Sequence, residues 1–486
     1  MPASVDPFAP ANAMLRALRQ REVSAVELLE LHLRRIERYN PTLNAIVTPD
    51  YERARVAAQA ADAARARGED APLLGLPLTI KDCIHVQGLP STAGIPRYAN
   101  NIAQADAPLT ARVRAAGAVI MGKTNVPPYA GDWQSNNKLF GRTRNPWNLE
   151  RSPGGSSGGS SAALAAGLTP LEFGSDIGGS IRIPSAFCGL FGHKPSETAV
   201  PRSGHFPGSP LPNVTASMSV QGPLARSAAD LELAFDLIAG PEAGEDAAWS
   251  LNIPPARHTR LRDFRVAVLP PIPWLPVEQE ILAAQARLVE RLRGLGAKVE
   301  EAQPEDFGDL RAYYKVYLSI LSTIMALGRS ADGRRKQMEE LRQKHDEFAD
   351  ASADALEAHT GEYVIWHTRR EHYRAAYRAF FREWDILLAP ANCVNAFPHD
   401  DRPFEQRTLQ VASQTVSYGL QDTYPGVATL CGQPSTAFPV AQTHDGLPIG
   451  LQAIGPYLED HTPLRFAALI EEEFGGFRAP LGYGEG

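Results

Sequence analysis

The stretch Arg151–Gly167, RSPGGSSGGSSAALAAG, decides how the rest of the chain is read. Gly and Ser in this density make a flexible tether between domains, and a tether is followed by a second polar tract before structure resumes. Here structure resumes at once. SSAALAAG reads as a short helix with Ser160 as its N-cap and Gly167 as its stop. A Gly-rich loop running straight into a helix points backbone N–H groups and the positive end of the helix dipole at whatever occupies the junction. A second junction follows at Gly174–Gly189, GSDIGGSIRIPSAFCG, where a strand turns through Gly178 and Gly179 and sets Ser180 ahead of a helical segment. Ser156 and Ser180, one on each turn, are candidates for hydroxyl chemistry, with a plain tether as the alternative for the first.

A serine hydroxyl is a poor nucleophile without a neighbouring proton acceptor. The segment Leu76–Val86, LPLTIKDCIHV, supplies an unusual candidate. At period two, Thr79, Lys81, Cys83 and His85 face one way and Leu78, Ile80, Asp82, Ile84 and Val86 the other, which sets Lys81 on an interior strand. The chain has only eight lysines against forty arginines, so a lysine among apolar strand residues stands out. An exposed lysine titrates near ~10.4, and burial lowers that by several units, each worth ~1.4 kcal/mol, leaving a neutral amine able to accept a proton. The other reading, an edge-strand lysine reaching to water, is equally open from spacing alone.

The wider chain fits a large globular protein, either of two or more domains or of one unusually large fold. Its 486 residues exceed the usual single-domain size, 44% are hydrophobic and 21% charged, and the net charge is −7, which argues against a sequence-independent hold on nucleic acid. The four cysteines, Cys83, Cys188, Cys393 and Cys431, form no CxxC pair, so neither a disulfide framework nor a zinc knuckle is expected, and a reduced, cytoplasmic protein fits. MPASVDPFAP lacks a charged start followed by an apolar run, so no secretory signal is expected, nor is any apolar run long enough to span a bilayer. Residues 1–70 read as helices, with Ser24 and Glu27 as a capping box and a second helix opening after Asp50. From Leu73 onward short apolar runs alternate with helical patterns, the signature of an α/β sheet. FRVAVLP, WDILLAP, STAFPVA and PIGLQAIG are later strands, and the charged helical region at about 305–382 reads as an insertion into one large sheet covering 71–486. The C-terminal GYGEG is expected to fray.

Taken together the motifs resemble those of the amidase signature family. GLPLTIKD, GKTNVPPYA, FGRTRNPWN, PGGSSGGSSAALAAG, GSDIGGSIRIPSAFCGLFGHKP and QGPLARS follow that family's order between Gly75 and Ser227, and GLPIGLQAIGPYLED is similar to its closing motif. The resemblance implies a single large fold with a mixed central β-sheet flanked by helices on both faces. It implies a Ser-cisSer-Lys triad, with Ser180 as nucleophile, Ser156 as the bridging serine on a cis peptide and Lys81 as base. Backbone N–H groups of Ile177, Gly178, Gly179 and Ser180 are the implied oxyanion hole. Asp176 and Arg182 flank the nucleophile, either as an ion pair bracing this loop or simply as structural residues. The implied activity is hydrolysis of an amide, or of an ester or carbamate by the same acyl-enzyme route, with no cofactor or metal. The partner expected is a small-molecule amide, with no nucleic acid or membrane, and the chain a monomer or homodimer. The alternative is the A-type subunit of a glutamine-dependent tRNA amidotransferase, although LGRSADGRRKQMEELRQKHDEF does not resemble that subunit's glutamine-binding stretch.

Other motifs carry less. GAVIMGKT, Gly117–Thr124, matches the GxxxxGK[ST] phosphate loop, but its middle is strand-like and NVPP follows in place of a helix. GGSSG, Gly154–Gly158, satisfies GxSxG, yet His399, His444 and His461 sit in no triad setting. SNNK at Ser135–Lys138 lacks a KTG companion, and the twelve histidines include no HExxH. His367 and His372 read as solvated or capping. The aromatic groups Tyr313–Tyr317 and Tyr363, Trp366 and Tyr373 suit either a pocket for an aryl or extended apolar group or the core, and Asp422 is a candidate contact for a polar substrate end.

Overall fold

The sequence signal that carries farthest is the set of short apolar runs, because strands buried on both faces lose the apolar–polar alternation. In the computed structural model, which describes residues 5–208 and 217–484, these runs assemble into one mixed sheet of eleven strands. From one edge the order is Ile46–Pro49, Val119–Thr124, Pro77–Lys81, Leu171–Asp176, Val220–Ala225, Phe191–Lys194, Ser435–Gln442, Pro448–Ile454, Ile386–Pro390, Arg265–Val268 and Lys298–Glu301. Pro77–Lys81 lies between parallel neighbours on both sides, Val119–Thr124 and Leu171–Asp176, and all three strands are buried throughout. In an open α/β sheet, ligands collect beyond the carboxyl ends of such strands. Lys81 is the last residue of its strand, and the turn Ile177–Ser180 leaves the end of the next one.

Several local expectations meet their structures here. Ser24 and Glu27 form the capping box of helix Ala25–Leu43, with the hydroxyl accepting from the Glu27 N–H and the carboxylate from the Ser24 N–H. The phosphate-loop match falls on strand Val119–Thr124, where Lys123 is buried, donates to the Pro90 carbonyl at 2.8 Å and lies 3.9 Å from Asp82. The charged region holds four helices, Arg311–Met325, Ala331–Arg342, Glu347–Glu357 and Thr360–Glu383. Among the described residues no helix is long and apolar enough to cross a membrane. The last two residues of GYGEG, and the first four of MPASVDPFAP, lie outside the described residues.

One expectation is corrected. The helix in the opening stretch spans Gly158–Ala165; Ser157 holds the N-cap position without a side-chain capping hydrogen bond, and Ser160 lies inside the first turn. The reason is a competition for partners. The Gly158 N–H already has the Ser135 hydroxyl at 3.0 Å, while the Ser160 hydroxyl is held by Thr124 Oγ1 at 2.9 Å. The helix is buried on every side, so tertiary contacts rather than an end signal set where it begins.

Candidate active site

The tether reading of Arg151–Gly167 does not survive the packing. A Cβ on Gly155 would stand 2.4 Å from the Asp132 carbonyl oxygen, and one on Gly159 would stand 2.3 Å from the Asn125 nitrogen. Glycine is required at both because backbone passes directly against backbone. The peptide bond between Gly155 and Ser156 is cis. Ser135, from the SNNK segment, donates to the carbonyls of Gly154 and Ser156 and accepts from the Gly158 N–H, so it braces the loop from outside. The two Gly-rich turns are tied together by the Ser157 N–H, which donates to the Ser180 carbonyl at 3.1 Å.

Three lysines are fully buried among the described residues, and their partners separate them. Lys123 faces the Pro90 carbonyl and Asp82, and Lys194 donates to the carbonyls of Pro195 and Gln433. Lys81 alone of the three meets serine hydroxyls: its Nζ is 2.7 Å from Ser156 Oγ and 3.0 Å from Ser175 Oγ. Burial lowers the Lys81 ammonium to about 8, against the opposing pull of Cys83, Asp176 and Glu172. An amine with that value holds a neutral fraction of roughly a tenth at pH 7 and becomes a mostly neutral proton acceptor above about pH 8. Ser180 lines the same cavity as Ser156 and Ser175, but its Oγ has no hydrogen-bond partner among the described residues. The structure therefore brings Lys81 and Ser156 into contact and places Ser180, itself buried, on the wall of the same cavity.

Around Ser180 the backbone is held from several directions. Asp176 and Arg182 form a fully buried pair, with Arg182 Nη2 2.9 Å from Asp176 Oδ1. Burial alone would raise the Asp176 carboxyl, but the Arg182 charge and hydrogen bonds outweigh it and hold the group at about 2. The carboxylate also accepts from the N–H groups of Gly179 and Ile181, at 2.9 and 3.0 Å. This bears on the expected oxyanion donors: the Gly179 N–H is occupied by Asp176 and is not free to meet an anion in this arrangement. Tyr317 donates to the Ile177 carbonyl at 3.0 Å, and the Trp133 indole donates to the Gly178 carbonyl at 3.0 Å. Because a trans peptide sets its N–H opposite its C=O, these two bonds fix the directions of the Gly178 and Gly179 N–H groups.

The aromatic groups divide. Tyr314 lines a cavity at Ser180 and donates to Asp422 Oδ1 at 2.6 Å, while burial pushes the Asp422 carboxyl up to about 7. Tyr313 donates to the Val427 carbonyl and packs against Phe307 and Tyr373 in the core. Tyr363 and Trp366 line neither of the cavities that contain Ser180. Sequence reasoning missed Ser175 and Trp133, and set Ser135 aside with the SNNK match. Ser175 had one available signal, a hydroxyl at the end of an apolar strand beside the lysine strand; the other two act through backbone carbonyls, which leave no mark on composition.

A family model described as Amidase matches residues 27–464. The chain is 34% identical over 472 residues to a Glutamyl-tRNA(Gln) amidotransferase subunit, of the A type, from Roseiflexus sp. (strain RS-1), covering 92% of this chain and 93% of that protein. It is 34% identical over 477 residues to an Acylamidase of Rhodococcus erythropolis, covering 95% and 94%. Among solved structures it is similar to 6-aminohexanoate cyclic dimer hydrolase, with a TM-score of 0.79 at 28% identity over 98% of this chain and 99% of that one.

Proposed function

The chain belongs to the amidase signature family, and from that premise we propose that it is a stand-alone amide hydrolase working through an acyl-enzyme on Ser180. In this reading Lys81 is the base, Ser156 the relay and Ser180 the nucleophile. Neutral Lys81 takes the Ser156 proton as Ser156 takes that of Ser180, and Ser180 Oγ attacks the amide carbonyl carbon. The resulting oxyanion is met by the N–H groups of Ile177, Gly178 and Ser180, each such donor typically contributing about 3 to 4 kcal/mol of barrier lowering. Ser156 returns its proton to the leaving nitrogen, and water then releases the acid by the reverse relay.

The observation that carries the reading is the buried amine 2.7 Å from Ser156 Oγ, next to a serine that lines the same cavity. Esters and carbamates with the same acyl group suit the same chemistry. A second reading, an A-type amidotransferase subunit, is supported by the likeness to the Roseiflexus protein. Purified chain assayed alone separates the two. Hydrolysis of a simple aryl amide without partner, ATP or tRNA is the expected outcome; glutaminase activity that appears only with a partner present would replace the first reading with the second.

A further inference from the structure

Ser180 stands between two cavities. One, of about 360 Å³, is lined by Ser156 and Ser175 and walled by Ile95, Tyr98, Tyr129 and Phe206. The other, of about 320 Å³, contains Asp422 and is walled by Trp133, Tyr314, Leu318, Leu321 and Phe348. The two share Ala130, Ile177, Ser180 and Met325. Resting on the acyl-transfer reading above, we propose that the cavities divide the substrate: the Ser156 cavity takes the leaving amine, which is aryl or otherwise apolar, and the Asp422 cavity takes the acyl group.

The path of the proton decides the division. When the tetrahedral intermediate collapses, the C–N bond breaks, its electron pair stays on nitrogen, and nitrogen takes a proton from Ser156 Oγ, which is recharged from Lys81 Nζ. That proton transfer needs the nitrogen within hydrogen-bond reach of Ser156. Ser156 lines only the first cavity, so the nitrogen and its substituent lie there. The acyl carbon, bonded to Ser180 Oγ, has the second cavity for the rest of its chain. Departure of the amine empties the Ser156 side, where the water of the second half-reaction can reach the same relay.

The walls set the class of amine. Ile95, Tyr98, Tyr129 and Phe206 present apolar surface, and the Arg97 guanidinium lies over the rings of Tyr98 and Tyr129, 4.6 and 5.9 Å from their centroids. The carboxylate in the lining, Asp176, is already committed to Arg182. Among the described residues, a cationic substituent on the amine thus meets arginine and no uncommitted carboxylate, whereas an aryl group meets apolar surface. The ammonia leaving group of a primary amide would use none of that surface.

Two substrate series test the division on the full-length enzyme: acetyl amides of amines of increasing aryl size, and anilides of acyl chains of increasing length. Phe206→Ala is expected to change the ranking among amines by about tenfold or more while keeping the ranking among acyl chains, and Leu321→Trp is expected to do the reverse. Rankings are ratios within one preparation, so a partly folded variant still reports. Each reaction is also examined by mass spectrometry for an acyl group on Ser180. If the adduct forms and Phe206→Ala reorders the acyl series instead, or Leu321→Trp the amine series, the division is wrong and the acyl-transfer reading stands. If no adduct forms with any substrate, both fall.

Discussion

Lys81 is legible because lysine is scarce in this chain and this one sits in an apolar strand, but the strand pattern alone left it equally able to reach water. The packing decides the matter by burying it completely and giving it Ser156 and Ser175 for neighbours. On the proposed relay the active form is the neutral one, so activity should be absent while the amine is charged and rise as pH increases through its lowered value. We expect kcat/KM to climb with pH and level off above about 8. Replacement by Lys81→Ala should lower kcat by about 10²- to 10⁴-fold, the usual contribution of general base catalysis, with unchanged circular dichroism. Ser175 could not be recognised in the same way. A serine in a strand is ordinary, and its importance comes from a 3.0 Å approach that only the register between neighbouring strands creates.

The turn between strand Leu171–Asp176 and helix Arg182–Cys188 is built on one ion pair. Asp176→Ala would leave Arg182 charged and buried, which should cost about 3 to 5 kcal/mol, read from urea unfolding. The Asp176 carboxyl is depressed from its ordinary 3.8 to about 2, so its stabilising contribution is full above pH 3.8 and is lost as pH falls through about 2. Acid unfolding of the native chain should therefore steepen in that window, and the variant should lack the feature. Gly179 has φ +91°, and a Cβ there would stand 2.6 Å from Pro425 Cγ. Gly179→Ala is accordingly expected to abolish hydrolysis by displacing the turn, a loss visible in a kcat assay on soluble protein. The motif order pointed to both Gly-rich turns, whereas the helix start after Ser157 and the occupied Gly179 N–H did not show. Each depends on a partner distant in sequence or on a carboxylate whose orientation no spacing rule specifies.

Across the molecule, the segment before helix Ala11–Gln20 is tied through Arg226 to the helix that follows Ser156. This buried guanidinium donates to the carbonyls of Pro7, Phe8 and Ala9 on one side, and to Leu164 and Thr169, at and beyond the end of helix Gly158–Ala165, on the other. Asp230 accepts from the N–H groups of Ala11 and Asn12. Deleting residues 1–20 should leave both side chains short of partners at about 1 to 3 kcal/mol for each unsatisfied group, lowering Tm and speeding amide exchange over 158–169. The α/β class, the strand runs and the helical region at 311–383 were legible because each rests on local periodicity. The Arg226 tie was not, since it joins three stretches far apart in the sequence.

The relay from Lys81 to Ser180 is best challenged by the rate at which a fluorophosphonate labels the enzyme across pH, with the site located by mass spectrometry. Labelling at Ser180, with a rate that rises through about pH 8 and collapses in Lys81→Ala, is the expected result. Labelling that persists in Ser180→Ala, or a rate indifferent to both pH and Lys81, would contradict it.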